Sequence, residues 1–394
     1  MTTTRQSTGP TLLDALSLAA KEADQLLLAT TQATHTAISR RVHGLVRLGA
    51  GPAVAPVEMA HDAIAGGVYA GIGLGLRGAS KALDRAAETG IGPRLEQEAW
   101  GRFLSAAVNG LIGDELLRDR PQMAIPMAVR HEGRDVDVHD TAAVAEAFPA
   151  ATGRVVVFLH GLCEDEAAWR IHRDRVGTTY PEALAADGWT PVLLRANTGL
   201  GLRENGAALT ALLQRLTESW PVPVERIVLV GHSMGGLIMR AASAVQAEAG
   251  GTAWSDLVSD VVTLSTPHLG SWFAIGADHA SRGLARLPEV AAFGRIIDRQ
   301  GQGIRDLILG LAEDVPPLPH ARYRLVSATL TRSERHPVAR VIGDLLVTPR
   351  SAFGRDRGGR ELFPDAEVLH VGRADHFAVL NHPDVHDALR RWLA

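Results

Sequence analysis

Two kinds of hydrophobic spacing divide the chain. From about residue 11 to 120 the apolar positions recur at helical intervals. Ile38, Val42, Leu45 and Val46, for example, fall at i, i+4, i+7 and i+8 and share one helix face. The Gly51-Pro52 pair and Pro56 interrupt this pattern, and a second helix is expected from about Val57. The character changes near residue 123. Residues 123–130 and 134–138 flank His131-Glu132-Gly133 and read as a hairpin with a glycine turn. Short β-branched runs then alternate with helical patterns, the runs being 155–159, 190–194, 227–230, 261–264, 323–327 and 367–371. Near-continuous apolar strands separated by helices predict a mostly parallel sheet covered on both faces. The expectation is therefore an α/β domain over 123–394, preceded by a helical region over 1–122.

Composition narrows the class without naming it. Of 394 residues, 46% are hydrophobic and 21% charged, which suits a globular chain with a sizeable core and excludes disordered, collagen-like and coiled-coil classes. A net charge of −4 gives no field for phosphates, so no nucleic-acid partner is expected. All but two of the 40 basic residues, Lys21 and Lys81, are arginine, which reads as coding bias. The single cysteine, Cys163, excludes an internal disulfide and a cysteine-based zinc site of the usual ligand number. Residues 1–10 lack the basic start and apolar run of a signal peptide. The apolar stretch 63–76 falls short of the ~20 residues a spanning helix needs. A soluble, cytoplasmic protein is the expectation.

The chemistry concentrates at Gly231-His232-Ser233-Met234-Gly235. This motif follows the strand at 227–230 directly and opens a helical run, the strand–turn–helix context of a nucleophile elbow. The turn is strained and its neighbours are packed closely, so only a very small residue fits two places before and after the serine. A serine needs a base held by a third group. In this architecture the acid and then the histidine follow the serine in the chain. His376, just after the last strand, is the expected base, and Asp344, after the strand before it, the expected acid. His382 is the second choice of base; His370 lies inside a strand, and Asp375 and Asp365 are weaker acids. Two backbone N–H groups should form the oxyanion hole: that of Met234, after the nucleophile, and that of Leu162, in His160-Gly161-Leu162-Cys163. Cys163 itself reads as a small buried residue, and its alkylation as a probe of that loop.

From about Met123 onward, the chain resembles the α/β-hydrolases, and among them the lipases and esterases. His160-Gly161, Gly231-His-Ser-Met-Gly-Gly236 and Ser265-Thr-Pro-His-Leu-Gly-Ser271 are similar to the branch with GPI inositol-deacylase-like and lecithin–cholesterol acyltransferase-like proteins. Asn197-Thr-Gly199, Asn205-Gly206 and Trp254 fit bacterial members of that branch. The resemblance implies carboxylic-ester hydrolysis through an acyl-enzyme, without cofactor or metal, and a structural role for His268. Acyl transfer, thioester hydrolysis and polyester depolymerisation use the same triad, and a non-catalytic lipid-binding module is a further alternative. One departure is the acid loop, Gly343-Asp344-Leu345, where related lipases often carry glycine after the aspartate.

Two further segments bear on substrate. A helical insertion over about 271–320, with Ile304, Leu307, Ile308 and Leu311 on one face, is placed to act as a lid over an apolar acyl ester. In 66–78, Gly67, Gly71 and Gly75 recur every four residues. Such spacing suits close packing against a neighbouring helix, with peripheral membrane contact as the alternative.

Overall fold

The hairpin at the change of spacing starts the sheet. β1 (Ala128–His131) and β2 (Arg134–Val136) pair antiparallel. Glu132 and Gly133 both take positive φ (48° and 76°) in the two-residue turn between them. The computed structural model describes residues 10–22, 55–87, 94–245, 252–271, 301–311, 315–356 and 358–394. These fall into two units, one up to Gly101 and one from Arg102.

The first unit contains α1 (Leu12–Glu22) and α2 (Ala55–Ala87). Ser17 bonds to the carbonyl of Ser80 (3.0 Å) and to its hydroxyl (3.1 Å), and also reaches Asp84. A Cβ built on Gly71, Gly75 or Gly78 meets nothing within 4 Å among the described residues, and Ile72 and Leu74 are exposed. Among those residues no helix is long and apolar enough to cross a membrane.

The second unit starts at Arg102, ahead of the change in hydrophobic spacing, because α3 (Ala99–Asp119) is tied to the chain entering the sheet. Asn109 donates to the Met123 carbonyl (2.9 Å) and accepts from the Ile125 N–H (3.0 Å). Six strands follow the hairpin: β3 (Arg154–Leu159), β4 (Thr190–Arg195), β5 (Arg226–His232), β6 (Val258–Leu264), β7 (Arg322–Thr329) and β8 (Glu367–Gly372). The sheet order is β2-β1-β4-β3-β5-β6-β7-β8, with β1 antiparallel to β4 and all pairs from β4 to β8 parallel. All six runs read from the sequence are strands here.

Helices cover both faces: α4 (Thr141–Ala147), α5 (Arg173–Val176), α6 (Tyr180–Ala186), α7 (Leu202–Ser219), α8 (Met234–Ser243), α9 (Gln302–Leu309), α10 (Pro337–Ile342), α11 (Pro349–Ala352) and α12 (Pro383–Leu393). Successive strand residues serve opposite cores, as the pleat requires. Val155, Val157 and Leu159 pack with Leu209 and Leu213 of α7 and Leu237 of α8. Val156 and Phe158 pack with Trp169, Tyr180 and α12 residues Val385, Leu389 and Trp392. Each such side chain contributes about 1.5–3 kcal/mol by leaving water, so the two layers fix the register of the central strands.

Of the expected lid, residues 272–300 lie outside the described residues. Its final part is helical as the spacing predicts, forming α9. This helix rejoins the sheet domain at the loop after β4: the Gly303 N–H donates to the Gly199 carbonyl (2.9 Å), and the Leu202 N–H to Asp306 (2.8 Å).

Candidate active site

The chain leaves β3 toward β4 on one side and leaves β5 toward β6 on the other, so a crevice opens at the carboxyl ends of β3 and β5. Ser233 stands there, between the end of β5 and the start of α8, with φ 50° and ψ −121°. A non-glycine residue in this region is strained, and the surrounding contacts hold it there. Its N–H donates to the Leu264 carbonyl at 2.8 Å. A Cβ on Gly231 would come within 2.5 Å of the Gly236 nitrogen, and one on Gly235 within 2.3 Å of the Leu159 carbonyl. The glycine requirement on both sides of the serine is therefore steric.

His376 lies in the turn after β8. Its Nδ1 is 3.0 Å from Asp344 Oδ2, and its own N–H donates to the Asp344 carbonyl at 2.9 Å. Asp344 Oδ1 accepts from the N–H groups of Leu346 (3.0 Å) and Val347 (2.7 Å). Burial pushes this carboxyl up, but His376 and the two amides outweigh burial and hold it below the usual carboxylate range. With Nδ1 turned to the acid, Nε2 is the nitrogen left for chemistry. The base turn is anchored from far away in sequence. Asn381 accepts from the Tyr180 N–H (2.7 Å) and donates to the carbonyls of Trp169 (2.9 Å) and Ile171 (2.8 Å).

The departure in the acid loop has a backbone correlate. Leu345, where related lipases often have glycine, takes φ 90°. Its side chain is exposed, as are those of Leu346 and Phe377. An apolar fringe thus adjoins both the acid and the base.

Of the two expected oxyanion donors, Met234 is the first residue of α8, whose N–H has no partner inside the helix. Among the described residues, the Leu162 N–H also meets no acceptor. The loop carrying Leu162 lies against the serine: a Cβ on Gly161 would sit 3.0 Å from Ser233 Cβ. Thr198 supports this loop by accepting the Cys163 N–H (3.1 Å). Asn205, from the other motif singled out in the sequence, donates to the Asn197 carbonyl (2.9 Å) and so braces the supporting loop.

The competing residues have other duties. His370 pairs with Thr329 (2.8 Å), His382 caps α12 through the Asp384 N–H (3.2 Å), and Asp375 accepts the N–H groups of Phe377 (3.0 Å) and Ala378 (2.9 Å). His268 is buried with its Nε2 3.2 Å from Thr263, and burial pushes its pKa well down. That is consistent with a neutral, structural histidine. No group of three or more His, Cys, Asp or Glu able to hold a metal occurs among the described residues.

The roles of three residues of the site escape sequence reasoning, although two of them, His160 and His232, stand inside its motifs. His160 is buried with Nε2 accepting the Ala196 N–H (3.1 Å) and Nδ1 2.9 Å from the Gly161 carbonyl, an arrangement only the neutral ring satisfies. Burial lowers its pKa accordingly. The other two, Glu164 and His232, pair across the crevice, with Nδ1 3.1 Å from Oε2. No local signal joins them, because the contact spans the β3–β5 connection.

Cys163 is less accessible to chemistry than its loop position suggests. Its Sγ is 3.6 Å from the Ala107 carbonyl, and burial, aided by Glu164, pushes its thiol up to about 11. The thiolate is the nucleophile, so carbamidomethylation by iodoacetamide at pH 8 should run on the order of a hundredfold slower than for a free thiol. A rate matching free cysteine, measured by intact mass, would contradict this environment.

This strand order, with a serine elbow at its central crevice, is that of the α/β-hydrolases, and the chain has their fold. More particularly, residues 194–281 match the model of the PGAP1-like alpha/beta domain, a stretch that includes the elbow and stops short of the acid and base. Similar solved structures include the mature Bacillus licheniformis lipase BlEst2, at 20% identity over 61% of this chain and 92% of that one (TM-score 0.44). The Pyrococcus furiosus esterase PF2001 is 19% identical over 62% of this chain and 83% of its own (TM-score 0.37). The esterase RhEst1 from Rhodococcus sp. ECU1013 is 14% identical over 68% and 93% (TM-score 0.35). No curated protein matches.

Proposed function

We propose that the chain is a serine carboxylic-ester hydrolase of the lipase and esterase type, acting through an acyl-enzyme on an apolar or lipid-like acyl ester. The observation that carries this reading is the elbow at Ser233 together with the buried His376–Asp344 pair, whose histidine ring lies 4.9 Å from that of His232, the residue before the serine. In this reading His376 Nε2 takes the Ser233 proton as Oγ attacks the ester carbonyl. The N–H groups of Leu162 and Met234 receive the negative charge on the carbonyl oxygen, a contribution of about 3 kcal/mol per donor in such sites. Asp344 stabilises the imidazolium so formed, which then protonates the departing alcohol. Water, activated by the same histidine, releases the acid. The exposed Leu345, Leu346 and Phe377 favour an apolar acyl group over a charged one.

The test is covalent. A fluorophosphonate probe should label the native protein stoichiometrically, and peptide mapping should place the label on Ser233. A native, folded protein left unlabelled would sink the reading and favour the non-catalytic alternative.

A further inference from the structure

The Glu164–His232 pair joins the two loops that the proposed reaction must keep in register. Three hydrogen bonds define it. The Gly161 N–H donates to Glu164 Oε2 at 2.7 Å, His232 Nδ1 lies 3.1 Å from the same oxygen, and His232 Nε2 lies 3.1 Å from the His376 carbonyl. A carbonyl only accepts, so Nε2 carries a proton. Glu164 Oε2 already accepts from a backbone N–H, which places negative charge on that oxygen and a second proton on Nδ1. His232 is fully buried, and Glu164 is nearly so. Gly161 closes the arrangement: a Cβ there would lie 3.1 Å from His232 Nδ1 and 3.2 Å from Glu164 Oε1.

We infer that Glu164 and His232 form a buried carboxylate–imidazolium strut that holds the oxyanion loop and the base turn at fixed separation on either side of Ser233. One end of the strut grips Gly161, next to the expected donor Leu162. The other end grips the backbone of the base, whose ring lies 4.9 Å from that of His232. Both are positioning residues and touch no reacting atom. The inference rests on the proposed function for its consequence in catalysis, but the protonation state it assigns does not.

The electrostatics agree with the geometry. Burial alone pushes His232 down, but Glu164 outweighs burial, with help from the His376 carbonyl and from Asp344, and the net shift is upward. For Glu164, burial pushes up, while His232 and the Gly161 N–H outweigh burial and bring it down. The groups facing the imidazole are Glu164 from the loop after β3, Asp344 from the acid loop, and the His376 backbone and ring from the base turn. A group with a raised value contributes stability below its unfolded value and loses it as pH rises through the folded one. The strut therefore loosens on the alkaline side.

Glu164→Gln separates the possibilities. One amide oxygen cannot take both the Gly161 N–H and a neutral Nδ1, so one grip is lost while size and shape are kept. Expected for the variant is a fall in kcat of about tenfold to a hundredfold, as for a small misplacement of catalytic groups. KM should stay within about twofold, and the alkaline limb of the kcat profile should move toward neutrality. In native protein with 15N-labelled histidine, His232 should show a bonded proton on each ring nitrogen at pH 7.5, assigned by its loss in His232→Asn. The Gln variant should show one. A single bonded proton in the native protein overturns the imidazolium, whether or not the protein hydrolyses esters. Native kcat in a folded Gln variant overturns the positioning role. Should that variant not fold, the native spectrum and His232→Asn kinetics decide, with unchanged kcat in the latter refuting the strut. Absence of probe labelling at Ser233 would instead refute the proposed function and leave the spectrum as the test of the pair.

Discussion

Replacing Ser233 by alanine should lower kcat toward short- and medium-chain nitrophenyl esters by about a millionfold, the loss seen when a triad serine is removed. The substitution deletes one oxygen and little else. The Cβ that approaches Gly161 remains, the Ser233 N–H still donates to the Leu264 carbonyl, and the backbone strain at φ 50° is shared by both residues. The melting temperature should accordingly stay within a degree or two of the native value, since the oxygen is not part of the packed core. What remains, roughly a thousandfold over the reaction in water, would come from binding and the oxyanion donors. Near-native turnover by this variant would place the nucleophile elsewhere.

Asp344→Asn should cost about ten-thousandfold in kcat, with KM little changed. The reason lies in which oxygen the loop fixes. Oδ1 accepts the N–H groups of Leu346 and Val347, so an asparagine there keeps its oxygen on those donors and turns its NH2 toward His376. An amide donor facing Nδ1 selects the tautomer with its proton on Nε2, which cannot accept from Ser233. Dimensions and anchoring survive; the chemistry does not. The native acid also bears on pH. Its folded value lies below the usual range, so its contribution to stability is present above the unfolded value near 3.9 and is lost as pH falls through the folded one. Full activity in Asp344→Asn across the neutral range would show that another carboxylate orients His376.

Much of this arrangement is legible in one dimension. The central parallel strands β3 and β5 announce themselves because both of their faces are buried, so apolar, mostly β-branched residues run there without polar interruption, whereas β8 at the sheet edge is half-exposed and carries His370. Ser233 is legible because the elbow imposes local steric limits that only glycines meet. Asp344 and His376 are found by chain order, and the structure places their side chains within hydrogen-bonding distance. Glu164 and His232 are not legible, since nothing near either residue specifies the partner and the pairing exists only once β3 and β5 lie side by side. The glycines of α2 are legible only as a spacing. It implies a close neighbour without specifying one, and no described residue fills that place at Gly71, Gly75 or Gly78, because periodicity records what a face permits and not what meets it. The start of the second unit within α3 was hidden in the same way, behind a helical pattern that continues unbroken across it.

Asn381 ties the base turn to the segment around Tyr180 across more than 200 positions, with a hydrogen-bond network that also runs from Tyr180 to the Val379 carbonyl. Closing so long a loop is slow relative to forming local helices, and it waits for the far end of the domain to be made. During synthesis, β3 to β5 and the serine emerge well before β8 and the base. A nascent chain would then carry a nucleophile with no base to activate it, inert until the last helix docks. On the proposed reading, maturation of the site and docking of the base turn become a single event, so recovery of ester hydrolysis would be a late and sensitive reporter of refolding.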